Sequence, residues 1–281
     1  MVAFFVDRVG IGGQPATFDN SVSFGGIINI TSEQFFSREK SFDGIFGLAF
    51  SGLAGPPGNP ITPYFTTLVT AASLPNMFTL QVCEVSQGTD GISEDRGGNL
   101  VVGAADATLQ VGESYAVNTT NTAFFTVTLT AMAVGTTLID VACTVLNSPQ
   151  TIVDSGSTNT YLPGEVYDLV TDAILDAIPG LAANERKLVL AGNPFTASEE
   201  LMAVMPNVVF KLQAADADKE LTLEMFPWQY FRSVAHIKGF EGNRVLSLTR
   251  GPCGQYVILG TNLLSGYVNI PVNWGVFRPC L

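Results

Sequence analysis

Residues 151–163 read TIVDSGSTNTYLP. An apolar pair, Ile152 and Val153, delivers one carboxylate, Asp154, into a loop of Ser and Gly. Polar and turn-forming residues follow, and a helical pattern begins just after Pro163. An acid carried to the end of a buried-type strand and followed by a sharp turn suits carboxylate catalysis. That chemistry usually takes two such acids, so the rest of the chain is read for the second.

At roughly 150 residues per domain, 281 residues fit about two domains, or one large β domain. With 47% apolar and only 14% charged residues, sizeable cores can be buried. A net charge of −12, a pI near 4.4 and no basic cluster argue against nucleic acid or an anionic membrane as partner. The acidic balance is compatible with work at low pH. Cys83, Cys143, Cys253 and Cys280 lack C-x-x-C spacing, and with a single His a metal site is not expected. Widely spaced cysteines fit long-range disulfides of an oxidising compartment, and the sequons at Asn29 and Asn118 agree with it. No signal peptide is visible: Met1 to Phe5 is too short for an apolar h-region and Asp7 interrupts it. No transmembrane helix is predicted either. The longest uncharged span, 114–139, alternates at Phe125, Val127, Leu129 and Ala131, which is strand spacing. A secretory pattern without its leader predicts that the natural beginning is missing.

Short β-prone runs punctuated by Gly, Pro, Asn and Asp predict an all-β chain. They include SVSFGGIINI (21–30), MFTLQVCEV (77–85), NLVVGA (99–104), FFTVTLTAM (124–132) and QYVILG (255–260). Two helices stand out. In TPYFTTLVTAASLP, Thr62 is the expected cap and Pro63 the first helical residue, with Phe65, Leu68, Val69 and Ala72 on one face. In GEVYDLVTDAILDAIPG the predicted buried stripe is Val166, Leu169, Val170, Ala173, Ile174, Ala177 and Ile178, stopped by Pro179-Gly180. A weak internal echo links Ile45-Phe46-Gly47 to Ile258-Leu259-Gly260, where Gly would admit a second backbone close to the strand.

In order along the chain, these pieces resemble the pepsin-like aspartic proteases. IVDSGSTNTYLP resembles the family's second active-site loop, FDGIFGLAF (42–50) its first-lobe block, VILG the second-lobe counterpart and YVNIPVNWGVF the closing strands. PNMFTLQVC followed by GGNLVVGAAD is similar to the β-secretase branch. The resemblance runs from about Asp7 to the C-terminus. It implies an all-β, bilobal fold, with 1–117 the second half of a first lobe and 118–281 the second lobe. It implies an acid-base endopeptidase acting on extended polypeptide bound between the lobes, with no cofactor. Asp154 would be one of two paired acids, the Gly letting its loop turn tightly and the Ser beside it supplying hydrogen bonds. Gly156, Ser157, Thr158, Phe36, Phe42, Ile45, Phe124 and Ile152 match substrate-contacting positions, though for the aromatic and aliphatic ones a core role stays open. Cys143 and Cys280 match a bridged pair, while Cys83 and Cys253 can pair, stay free or have lost partners. His236 reads as a surface or structural residue, and Trp228 and Trp274 as packing residues.

Asp154-Ser155-Gly156 is the one Asp-Ser/Thr-Gly in the 281 residues; Asp43-Gly44 belongs to the first-lobe block. The first Asp loop and the substrate-covering hairpin are therefore expected upstream of Met1. The same reasoning predicts that SVSFGGIINI lacks a strand to pair with. Three readings follow, in order: an aspartic endopeptidase of the secretory pathway, extracellular or endolysosomal, incomplete at its front; a catalytically inactive relative that binds peptide or protein; and a homodimer joining two copies of Asp154. Any membrane anchor would lie outside this chain.

Overall fold

The computed structural model describes residues 2–8, 21–27, 45–55, 58–82, 98–105, 108, 115–119, 121–216, 218–234, 239–251, 256–265, 267–271 and 274–279. Short strands dominate and helices are few and mostly short, so the fold is all-β. The chain divides into two compact units. The first comprises Met1–Met77, Val102–Ala104 and Asn121–Phe124; the second comprises Phe78–Val101, Ala105–Thr120 and Phe125–Leu281.

In the first unit, Val2–Arg8 and Ser21–Ile27 form an antiparallel pair in register from Val2↔Ile27 to Arg8↔Ser21. The strand expected to lack a partner therefore has one, Val2–Arg8. The helix Tyr64–Ala71 buries Phe65 and Val69, as its spacing predicts. Its cap differs from expectation: Pro63, not Thr62, holds the N-cap position, and no side chain closes the end. Pro63 instead offers its carbonyl to Thr67 N at 3.1 Å, the first turn of the ladder. Gly52 donates its N–H to Thr122 O at 3.0 Å, and a Cβ there would lie 2.6 Å from that oxygen.

The second unit holds most of the core. A four-stranded sheet runs in the order Glu220–Met225, Val208–Gln213, Leu129–Val134 and Thr137–Leu138. The predicted alternation through Leu129 and Ala131 breaks at a bulge. Lys211 pairs with Ala131 but Leu212 with Leu129, so Thr130 is the extra residue. The slip turns both Leu129 and Met132 fully inward. The Thr130 hydroxyl donates to Lys211 O at 3.1 Å and so satisfies the irregular backbone.

The helix Gly164–Asp176 packs on this sheet with a stripe rotated from the predicted one. Val166, Val170 and Ile174 are fully buried, and Tyr167, Thr171 and Leu175 are buried beside them. Leu169 is 40% exposed and Ala177 also faces solvent. Thr171 can lie inside because its hydroxyl donates to Tyr167 O at 2.7 Å, so no polar atom is stranded. Ile174→Ala is expected to cost about 2–5 kcal/mol and Leu169→Ala less than about 1 kcal/mol. Urea unfolding of the two variants measures the difference, and equal losses would place the stripe where the spacing alone put it.

Candidate active site

Asp154 lies in the second unit, at the end of the strand Gln150–Val153. That strand is flanked on both sides: Tyr256–Leu259 runs parallel to it, with Ile258 opposite Ile152, and Thr126–Val127 runs antiparallel. Both edges of the strand are therefore paired. Thr151 and Ile152 are buried, and burial relaxes over Val153 and Asp154. The Asp154 N–H donates to Leu259 O at 3.1 Å, continuing the parallel pairing up to the acid.

The loop then folds back onto its own carboxylate. Gly156 N donates to Asp154 Oδ1 at 2.9 Å, and Ser157 Oγ donates to Asp154 Oδ2 at 2.6 Å. The second distance is typical of a hydroxyl bonded to a charged oxygen. Each carboxylate oxygen thus carries one hydrogen bond from the loop, which fixes the plane of the group and leaves further acceptor capacity. The hydroxyl that does this is Ser157's, two residues beyond the expected Ser155, whose carbonyl instead accepts from Thr261 Oγ1 at 2.9 Å. A Cβ at Gly156 would sit 3.1 Å from Asp154 Oδ1 and press on the carboxylate the loop holds.

The chain leaves the loop along Thr160–Leu162, which pairs antiparallel with Tyr256–Leu259 on its other side, Tyr161 opposite Ile258. Residues 154–159 therefore cross over the end of strand Tyr256–Leu259. Gly260 lies at the crossing, where a Cβ would be 2.1 Å from Asn159 O and 2.8 Å from Ser157 O. This is the close backbone approach expected of that glycine. At Gly47, its echo, no atom of the described residues lies within 4 Å of where a Cβ would sit. Thr261 N donates to Ser157 O at 2.7 Å and Asn262 N to Thr158 O at 3.2 Å. Thr261 and Asn262, which directly follow Ile258-Leu259-Gly260, were missed in the sequence. Their position after that tripeptide is the signal that could have found them.

Of the other expected site residues, Ile152 is 7% exposed within the strand and Thr158 is exposed on the loop. Ile45 is 74% exposed and Phe124 half-buried, both in the first unit, where Phe124 N donates to Asn121 Oδ1 at 2.9 Å. Asn118 is exposed at the end of strand Tyr115–Asn118. Cys143 is exposed and is bridged to no cysteine among the described residues; its Sγ lies 2.9 Å from Thr130 O. Trp228 stacks on Phe226 with ring centroids 4.9 Å apart. Phe36, Phe42, Asn29, Cys83, Cys253, Cys280 and His236 lie outside the described residues, as does the side chain of Trp274. Among the described residues, no cluster of His, Cys, Asp and Glu could hold a metal ion, and no helix is long and apolar enough to cross a membrane.

Asp154 is thus a carboxylate gripped by its own Ser-Gly loop, at a point where a strand pair is crossed by backbone. The eukaryotic aspartyl protease family matches residues 3–269, and the chain belongs to that family. Beta-secretase of Strongylocentrotus purpuratus is 28% identical over 236 residues, covering 78% of this chain and 43% of that protein. The chain thus spans less than half the length of this curated relative. Gly260→Ala is expected to destabilise the protein by about 3 kcal/mol or more, since backbone rather than a side chain must yield. Chemical denaturation checks this; a change below about 1 kcal/mol would mean that the crossing is loose.

Proposed function

We propose that the protein is an aspartic-type endopeptidase in which Asp154 is one of two catalytic carboxylates. The observation that carries this reading is the paired grip of Gly156 N and Ser157 Oγ on the two oxygens of Asp154. Such a grip holds the acid in one plane without using up its capacity to accept a proton. In the reaction, two close carboxylates share one proton, because both cannot be charged at that distance. The ionised member takes a proton from water as the water oxygen bonds to the scissile carbonyl carbon, and the protonated member gives its proton to the carbonyl oxygen. Collapse of the resulting diol, with a proton passed to the amide nitrogen, breaks the C–N bond. The second acid must come from another Asp-Ser/Thr-Gly loop, which these 281 residues do not contain.

The same reading assigns an extended polypeptide substrate. It would lie against Gly156, Ser157 and Thr158 and be met by Phe36, Phe42, Ile45, Phe124 and Ile152. A secretory or endolysosomal location accompanies it, with glycans on Asn29 and Asn118 and a Cys143–Cys280 disulfide. That bridge would close a long loop and contribute about 4–5 kcal/mol in the chain-entropy account. Non-reducing peptide mapping of secreted protein is expected to recover it; two free thiols would remove it.

The single Asp-Ser-Gly favours one alternative, an inactive homologue that binds peptide or protein. The test uses the natural polypeptide that includes this chain. It is expected to cleave peptides at acid pH, and Asp154→Asn is expected to reduce the rate at least about a thousand-fold. The 281 residues alone are expected to be inactive. An inactive natural polypeptide whose partner binding survives Asp154→Asn would establish the alternative instead.

A further inference from the structure

The structure assigns to Asn262 the role of positioning residue for the Asp154 loop, a role resting on the proposed catalytic use of Asp154 only for its kinetic consequence. Its side-chain carboxamide uses both ends. Oδ1 accepts from Thr160 Oγ1 at 2.8 Å and from Leu263 N at 3.0 Å. Nδ2 donates to Ser247 O at 2.9 Å and, more weakly, to Gln229 O at 3.4 Å. The orientation is fixed by chemistry, because the reversed amide would set its oxygen against two carbonyls and its N–H groups against a backbone donor. Through its main chain the same residue donates to Thr158 O at 3.2 Å and accepts from Ser265 Oγ at 3.0 Å.

Asn262 therefore grips the loop at Thr158 and Thr160, on either side of Asn159, whose carbonyl rests on Gly260. The far ends of the grip are anchored. Thr160, Ser247 and Gln229 are buried, Ser247 N donates to Tyr230 O at 2.7 Å, and Gln229 Oε1 accepts from Phe226 N at 2.7 Å. Only a group with two acceptor positions and two donors, at this length, satisfies Thr160, Leu263, Ser247 and Gln229 together. An apolar side chain of similar size would take away the acceptor of the buried Thr160 hydroxyl, which would keep only its weak bond from Gly260 N at 3.4 Å, and would remove a donor from two carbonyls. An aspartate would be worse when charged, because its oxygens would face the carbonyls of Ser247 and Gln229. Protonation would restore one donor. None of the groups bonded to the carboxamide titrates. Neighbouring Tyr230, with its hydroxyl on Pro206 O and its pKa raised by burial, stays neutral from acid to neutral pH.

The experiment uses the natural polypeptide carrying Asn262→Asp, Asn262→Ala or Thr160→Val, each compared with wild type at pH 4 and pH 7. The readouts are the Gly156 amide resonance, which reports the bond to Asp154 Oδ1, and the thermal midpoint. Asn262→Asp is expected to displace the Gly156 resonance and lower the midpoint at pH 7, and to recover largely at pH 4. Asn262→Ala and Thr160→Val are expected to be displaced equally at both pH values. Where the protein cleaves peptides, kcat of Asn262→Ala should fall about tenfold with KM changed less than about twofold. Absence of cleavage in wild type would defeat the catalytic reading and leave the resonance to decide the positioning role. A Gly156 resonance unmoved in Thr160→Val and in Asn262→Asp, or an Asn262→Asp defect that is the same at both pH values, overturns the assignment; should Asn262→Ala not fold, these two variants suffice.

Discussion

The close passage of the Asp154 loop over Gly260 is the constraint on which the second unit's site depends. Two backbone segments approach until there is no room for a single methyl group between Gly260 and Asn159 O. That proximity lets Tyr256–Leu259 pair with the strand entering the loop and with the strand leaving it. It also brings Thr261 and Asn262 within reach of the carbonyls of Ser157 and Thr158. A loop of Ser, Gly and Thr would otherwise sample many conformations, at a cost of roughly 1–2 kcal/mol per residue to order it. Here its carbonyls are matched to donors on one neighbouring turn, so the ordering is shared among many weak bonds.

What the loop holds is a carboxylate in a half-exposed position with one hydrogen bond on each oxygen. Full burial would penalise the charged form, and full exposure would leave the group free to rotate. The observed arrangement lies between these limits and keeps acceptor capacity on both oxygens. Acid-base chemistry needs that capacity, because the group must hold a proton in one step and release it in another. The surrounding framework consists of short strands and buried aliphatic residues, with the buried polar residues Thr160, Gln229 and Ser247 bonded to Asn262 beside the crossing. Among the described residues, two buried atoms, Asn159 Oδ1 and Ser247 Oγ, have no hydrogen-bond partner.

Much of this is legible in the amino-acid sequence. Runs such as TIV and YVIL declared themselves as strands through their apolar character, and both helices through their period. The particulars depended on tertiary matching. The buried face of helix Gly164–Asp176 includes Thr171, polar by type, because its hydroxyl is satisfied within the helix, while Leu169 is left 40% exposed. Alternation from Phe125 onward failed at Thr130, since a bulge depends on the opposing strand and leaves no mark in its own sequence. Ser155 lies next to the acid in sequence, yet Ser157 reaches the carboxylate because the turn at Gly156 reverses the chain. Asn262 looks like a turn former until Thr160, 102 residues distant in sequence, is set beside it.

The central claim is that Asp154 is the reactive acid presented by this crossing. Carboxylate-directed alkylation by an epoxide peptide mimic, followed by mass mapping of the natural polypeptide, tests it most directly. The reagent forms an ester with a carboxylate held at a substrate-binding position, while solvated acids react slowly. The account predicts stoichiometric modification within residues 151–163 at Asp154, blocked by a competing substrate peptide. Labelling spread over the other acidic residues, or unaffected by the peptide, would contradict it.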